Sequence, residues 1–372
     1  MNDKQSLYSG SLKSIFFLGI MIFMLSVRLI FGAIYLWDGI VWVYLGDSIT
    51  ESHQYNQYME AYFHLRYPGL KLHFMEAGVS GATQEDALEI YECYVYSWIP
   101  DVVSVMYGHN GDYLPSQYKD GMLELCDTII NAGGSLPVLL GPQPLYISDD
   151  PRLGYFSDSL ASISRDQGWP FADDWHHLKP IWDKNYNSPV PVDLHFGDPV
   201  HPGPAGHLCM TYALLRTLDT IMIISGNDTI QERTTDIVSS AAIDASTGLL
   251  ISSTKCMISN IKKTERGIKF IRKDKRLPMP FDEAYGVKAR AAIDLMPEIL
   301  DSLNRYMLKI TGLPAYSYDI NIDGVKSATV TSRMLARGWN MAGMSKGPIY
   351  DQLMNVLNKI RDKEGLTHDD LF

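Results

Sequence analysis

Cysteine is scarce in this chain, with four residues in 372. They stand at 93, 126, 209 and 256, with no Cys-x-x-Cys pair and no histidine at metal-ligand spacing, so no metal site is assigned to them. A bridge between Cys93 and Cys126 stays open should the compartment be oxidising; otherwise buried free thiols are expected. Positive charge is short as well: 32 Lys and Arg against 43 Asp and Glu leave a net charge of −11. A surface of that sign repels phosphate backbones, which argues against a general nucleic-acid binder. Internal repeats and low-complexity tracts are missing. Hydrophobic residues at 46% and charged residues at 20% lie near globular averages, against wholesale disorder and against a polytopic membrane protein.

What the chain does have is length and aromatic mass. Its 372 residues fit two domains, or one with a large appendage. The 22 Tyr, 12 Phe and 7 Trp suit a large core and also carbohydrate-facing surfaces.

The N-terminus has its own texture. Residues 1–14 are polar, with Lys4 and Lys13; 15–26 is almost wholly apolar, Arg28 interrupts, and 29–36 resumes the run. A basic lead before an apolar stretch is the layout of a secretory signal, although small residues at cleavage spacing are absent around Ser26 and Ala33. An uncleaved membrane anchor over 15–36, with Arg28 snorkelling, therefore stays open, as does a buried N-terminal helix. Export or anchoring ranks first, so 1–36 is set apart as signal peptide or anchor and the protein is expected to be secreted or extracytoplasmic. Asn227-Asp228-Thr229 is a glycosylation sequon, relevant only in a eukaryotic secretory route.

From 37 to 220 strand and helix alternate. Apolar runs at 40–45, 70–75, 101–107 and 136–140 read as strands, with a short extended piece at 170–172. Helical patterns begin near 49 and 83 and cover 117–132, 152–167 and 204–218. That alternation predicts a parallel sheet between helical layers. Past 220 the segments shorten and turn residues multiply, including the hairpin signal Asp323-Gly324. This predicts a β-rich module over 221–331, interrupted by a helix at 294–303. Helices at 332–338 and 348–363 then close the chain, the last packing back on the α/β core.

Gly46-Asp47-Ser48 stands at the end of the first long strand and the start of a helix, where ligands of open α/β sheets bind. A serine N-cap is the plain reading of such a site. Three further loops are expected at the same sheet edge. One is Glu76-Ala77-Gly78-Val79-Ser80-Gly81, where backbone N–H groups can approach a ligand closely. The others are Tyr107-Gly108-His109-Asn110, whose amide can donate to an oxyanion, and Gly197-Asp198-Pro199-Val200-His201-Pro202-Gly203.

The set Ser48, Gly78, Asn110 and His201, each in its own block, resembles the SGNH/GDSL hydrolase superfamily over residues 38–218. The opening Gly-Asp-Ser-Ile-Thr and the closing Asp-x-x-His-Pro are its most distinctive blocks. Fainter similarity to bacterial members with an extra β module runs through Leu303-Asn304-Arg305-Tyr306, 318–324 and 335–342. The resemblance implies a three-layer α/β/α, flavodoxin-like parallel sheet with an additional β-rich, sandwich-like module. It implies Ser48 as nucleophile, His201 as general base and acid, and Asp198 as the carboxylate fixing its tautomer. An oxyanion hole would come from the N–H groups of Ser48 and Gly78 and the amide of Asn110. No metal or cofactor is implied. One departure stands out: Gly111 follows Asn110 where the family usually has Asp, and Asp112 comes one later.

The expected reaction is hydrolysis of a small acyl ester, such as O-acetyl on a polysaccharide. A lipid esterase, lysophospholipase or thioesterase, an O-acyltransferase and a non-catalytic glycan-binding relic stay open beside it. Possible membrane association would run through 15–36, and the oligomeric state is unassigned. His176 and His177 beside Asp173 and Asp174 read as a substrate rim rather than a metal cluster. His207 reads as a packed or solvated histidine, His109 as a pocket or surface residue, and the basic run 262–276 as a solvated face.

Overall fold

Alternation of side chains settles the centre of the molecule. After a short strand β1 (Ile34–Leu36), strand β2 (Val41–Gly46) sends Trp42 and Tyr44 into one core and Val43 and Leu45 into another, all of them buried. A strand covered on both faces has to do this. The computed structural model describes residues 33–145, 150–195, 197–226, 228–282 and 289–369, with side chains to 364.

Helices α1 (Ser48–Glu51) and α2 (Tyr55–Arg66) follow, then β3 (His73–Gly78) and α3 (Asp86–Ile90), which runs on as a π turn at Tyr91–Val95. Next come β4 (Val102–Met106), α4 (Pro115–Gly133), β5 (Leu136–Leu140), α5 (Pro151–Gln167), β6 (Phe171–Ala172), α6 (Asp174–Tyr186) and α7 (Pro204–Thr217). The sheet order is β3-β2-β4-β5-β6, all parallel. Gly46 pairs with Gly78 on one side and Met106 on the other, so three strands end level and their following loops share one edge. Local chemistry sets the helix ends. Pro115 and Pro151 open α4 and α5, Asp150 caps α5 through the N–H of Arg152 (3.0 Å), and Gly134 and Gly168 close them with positive φ.

The rest is β-rich: β7 (Thr220–Ser225), β8 (Asp228–Arg233), β9 (Ser239–Asp244), β10 (Leu249–Thr254), β11 (Cys256–Thr264) and β12 (Gly267–Asp274). After α8 (Ala291–Leu295) come β13 (Tyr306–Thr311), β14 (Ser317–Ile322), β15 (Val325–Thr331), α9 (Ser332–Arg337), β16 (Trp339–Asn340) and α10 (Pro348–Asp369). Strands β10-β9-β13-β16 form one sheet over a core of their own, beside the hairpins β11–β12 and β14–β15. Helix α10 returns to the α/β layers: Lys363 bonds both carboxylate oxygens of Glu60 on α2 (2.8 and 2.7 Å), and Arg361 meets Asp282 at 2.6 Å.

Several boundaries shift from the sequence reading. Ile34–Leu36, placed above in the leader, is a strand pairing in parallel with β7, and Ala33, Ile34 and Leu36 are buried. The rest of the leader, 1–32, lies outside the described residues, as does Asn227 of the sequon. Strand β7 belongs with the α/β core, to which it gives Ile221 and Ile223, so the β-rich part proper begins later than 221. The helix expected at 294–303 breaks at Met296-Pro297 into α8 and a π turn at Ile299–Leu303. Helix α6 was not anticipated. All four cysteines are free, Cys93 exposed and the others buried. No helix among the described residues is long and apolar enough to cross a membrane.

Candidate active site

The site begins at the end of β2. Gly46 lets the chain turn: a Cβ there would stand 2.1 Å from Oγ1 of Thr50. Asp47 caps α1 by accepting the N–H of Ile49 on Oδ1 (3.0 Å), which places Ser48 at the first helical position. Its Oγ lies 2.9 Å from Nε2 of His201, a residue 153 positions away.

His201 sits in a loop tied by its own aspartate. Oδ1 of Asp198 accepts the N–H groups of Val200 (2.7 Å) and His201 (2.8 Å), while Oδ2 lies 2.9 Å from Nδ1 of the His201 ring. Burial alone would raise the Asp198 carboxyl. The hydrogen bonds from the His201 N–H, the His201 ring and the Val200 N–H outweigh it and bring the pKa down to about 2. The carboxylate is therefore ionised throughout the neutral range and holds the Nδ1 proton in place, leaving Nε2 as acceptor toward Ser48. Pro204 opens α7 just beyond, and Gly206 fits against the Leu194 carbonyl, where a Cβ would approach to 2.3 Å.

The oxyanion side differs in one member from the sequence reading. The Gly78 N–H is donated to Oε1 of the buried Glu76, so it is spoken for. Gly78 is instead needed for room: a Cβ would meet the backbone N of Glu51, on α1, at 2.2 Å. In the same loop, Gly81 has φ +78° and open space around it. Asn110 donates from Nδ2 to the Ala82 carbonyl at 3.1 Å, which fixes its amide and leaves a second Nδ2 hydrogen for a ligand. Gly111 takes φ +79° with the Tyr113 ring over it, and Asp112 pairs outward with Arg152 at 2.6 Å.

The structure thus brings Ser48, His201 and Asp198 into one hydrogen-bonded row. The remaining histidines fall elsewhere. His176 binds Asp173 through Nδ1 at 2.9 Å on α6. His207 is fully buried, 3.1 Å from Oγ of Ser52 and stacked on Tyr55; desolvation lowers its pKa to about 3. His109 is directed inward between Gln143 and Asp47.

Residues 44–208 match the model of the GDSL-like lipase/acylhydrolase family. This chain carries a domain of that family. It is an ester-bond hydrolase with the SGNH fold, extended by further β-sheets toward the C-terminus. A search of the curated proteins finds no match. Among solved structures, a gut microbial diltiazem-metabolizing enzyme is 23% identical with a TM-score of 0.73, over 89% of this chain and 78% of that one. The shared architecture therefore takes in most of the chain beyond the family domain. A catalytic mutant of an acetylxylan esterase from Geobacillus stearothermophilus is 19% identical with a TM-score of 0.43, over 50% of this chain and 96% of its own. An α/β hydrolase from the metagenome of Lake Arreo, Spain, is 21% identical with a TM-score of 0.41, over 49% and 96% respectively.

Proposed function

We propose that Ser48 is the nucleophile of a serine esterase that removes small acyl groups, acetyl foremost, from a carbohydrate. The observation that carries the mechanism is the row Ser48 Oγ, His201 Nε2, His201 Nδ1, Asp198 Oδ2, whose two hydrogen bonds are each 2.9 Å. Ser48 Oγ forms a bond to the ester carbonyl carbon as its proton passes to His201 Nε2. The imidazolium is held by Asp198, and the carbonyl oxygen, now anionic, takes hydrogen bonds from Asn110 Nδ2 and the Ser48 N–H. Collapse breaks the bond to the leaving alcohol, which receives the proton from Nε2. Water repeats the sequence on the acyl-enzyme and releases the acid.

For the substrate, the supporting feature is openness. The His201 and Asp198 side chains are 44% and 45% exposed, so the row lies at the surface, where an ester on a large hydrophilic chain can reach it. Tyr155 is exposed and Trp175 half-buried on the helices after β5 and β6, aromatic faces of the kind sugars pack on. An extracytoplasmic setting belongs to the same reading and rests on the apolar run at 15–32.

A chromogenic acetyl ester assay of the wild type and Ser48→Ala tests the chemistry, with a loss of at least about 10³-fold expected. Unchanged turnover in Ser48→Ala would refute it. Acyl esters from acetyl to palmitoyl test the substrate: kcat/KM falling with chain length supports the carbohydrate reading, and a rise toward palmitoyl replaces it with a lipid esterase.

A further inference from the structure

We infer that Gln143 and His109 form a positioning strut that holds the oxyanion amide and the base in mutual register beside the nucleophile. The inference rests on Ser48 and His201 acting as proposed above. Gln143 lies just past β5 and is fully buried. Its Nε2 donates to the carbonyl of Val200 at 3.0 Å, and Val200 immediately precedes His201. Its own backbone carbonyl accepts from Nε2 of His109 at 3.0 Å, and His109 immediately precedes Asn110. On the other side of that ring, Nδ1 lies 3.7 Å from Oδ2 of Asp47, which immediately precedes Ser48. The residues before Asn110 and His201 are therefore joined by hydrogen bonds through one buried glutamine, past the ends of β4 and β5, while the His109 ring only approaches Asp47 beside Ser48, beyond hydrogen-bond distance.

Stability alone does not account for this arrangement. Oε1 of Gln143, Nδ1 of His109 and Oδ2 of Asp47 are buried without a hydrogen-bond partner among the described residues. Each such group is costly to leave unpaired, compared with an apolar side chain of the same shape. What the strut supplies is placement. Ser48 and His201 come from distant loops, and the His201 ring is half-exposed, so its place depends on the hydrogen bonds that hold its loop. A misplacement of about 1 Å between reacting groups is enough to cost roughly 10²-fold in rate.

The test is a double-mutant cycle on acetyl ester turnover. Gln143→Met keeps the length and removes the donor. It is expected to lower kcat about 10- to 100-fold with KM within about twofold. In a His201→Ala background the same change is expected to alter the residual rate by less than about twofold, because its effect passes through His201. A structural role would lower both backgrounds by the same factor, and that result overturns the inference, as does wild-type kcat in Gln143→Met. Should Gln143→Met not fold, Gln143→Glu, which turns an oxygen onto the Val200 carbonyl, is read by the same cycle. Ser48→Ala separates the two levels. If it is dead while Gln143→Met is unimpaired, the strut alone falls; if Ser48→Ala retains full turnover, strut and triad fall together.

Discussion

Gly78→Ala tests whether glycine stands at this position to make room. The added methyl carbon would stand 2.2 Å from the backbone N of Glu51 and 2.8 Å from its Cα. Ordinary contact begins near 3.4 Å, so the end of α1 has to recede by about 1 Å in a close-packed interior. The Glu51 N–H is bonded to the Asp47 carbonyl at 2.9 Å, which carries the shift back across the turn that bears Ser48. The Ser48–His201 hydrogen bond then lengthens, and a rate loss of about 10²-fold in kcat is expected. Overpacking of this kind also costs about 1–3 kcal/mol, or roughly 2–4 °C per kcal/mol in a domain of this size. The assay pairs acetyl ester kinetics with a thermal melt. Wild-type kcat and Tm together would refute the steric reasoning. Alanine keeps the backbone N–H that goes to Glu76, so donation is unaltered in this variant, and a large loss of kcat at unchanged Tm would refute the overpacking part of the argument. Gly81→Ala is the contrast: it meets no atoms, and its φ of +78° costs about 1–2 kcal/mol of backbone strain.

Asn110→Ala is expected to lower kcat by about 10²–10³-fold with little change in KM, because the lost hydrogen bond strengthens only as charge develops; an equal loss in Ser48→Ala and the double variant would show the two act as one unit. Acid should destabilise the fold through two histidines kept neutral mainly by burial, His195 at about 4 and His207 at about 3. Unfolded, both take protons below about 6.5, so stability present above that pH is lost as pH falls toward 4, by up to about 1.4 kcal/mol per unit and group. Urea melts between pH 7.5 and 5 read this, and a flat midpoint would contradict it. Glu76 has the opposite sign. Desolvation, with the charges of Glu364 and Glu51, outweighs the Gly78 hydrogen bond and raises its carboxyl to about 9. Its stabilising contribution is full below about 4.5 and fades as pH rises toward 9, so Glu76→Gln should gain on the wild type over that range in the same melts.

The α/β part of the fold was legible because its strands are buried on both faces and read as continuous apolar runs of the right length. Its misses have local causes. Helix α6 carries Pro180 in its interior and a mixed polar pattern, while the signal that would have found it is Asp173, whose carboxylate caps the N–H of His176 at 3.1 Å. Pro297 divides the helix expected at 294–303. In the β-rich part the segments were visible and their partnership was not. Strand β13 pairs in parallel with β9, more than sixty residues earlier, and nothing in either strand names the other. The same holds for β1, three residues whose apolar character merged with the run before them and whose pairing with β7 is decided nearly two hundred residues later.

At the site, legibility divides by chemistry. Serine, histidine, aspartate and asparagine announce themselves, because few other side chains can attack, take a proton, orient a ring or donate to an oxyanion. Glycine does not, because it contributes only the absence of a side chain. Gly78 and Gly81 lie three residues apart in one loop, and either suits a close backbone approach. What separates them is Glu76, whose side chain folds forward onto the Gly78 N–H, and that depends on Glu76 being buried against α1 and near Glu364 of α10, almost three hundred residues away. Gln143 was invisible for a related reason. In the sequence it is one polar residue between two prolines after a strand, and its significance comes only from which carbonyls stand beside it: that of Val200, accepting its side chain, and its own, accepting from His109. Residues that react can be recognised by type, whereas residues that hold them in place are recognised by their neighbours, and for this chain those neighbours are set by the shared edge at the ends of β2, β3, β4 and β5 rather than by any motif.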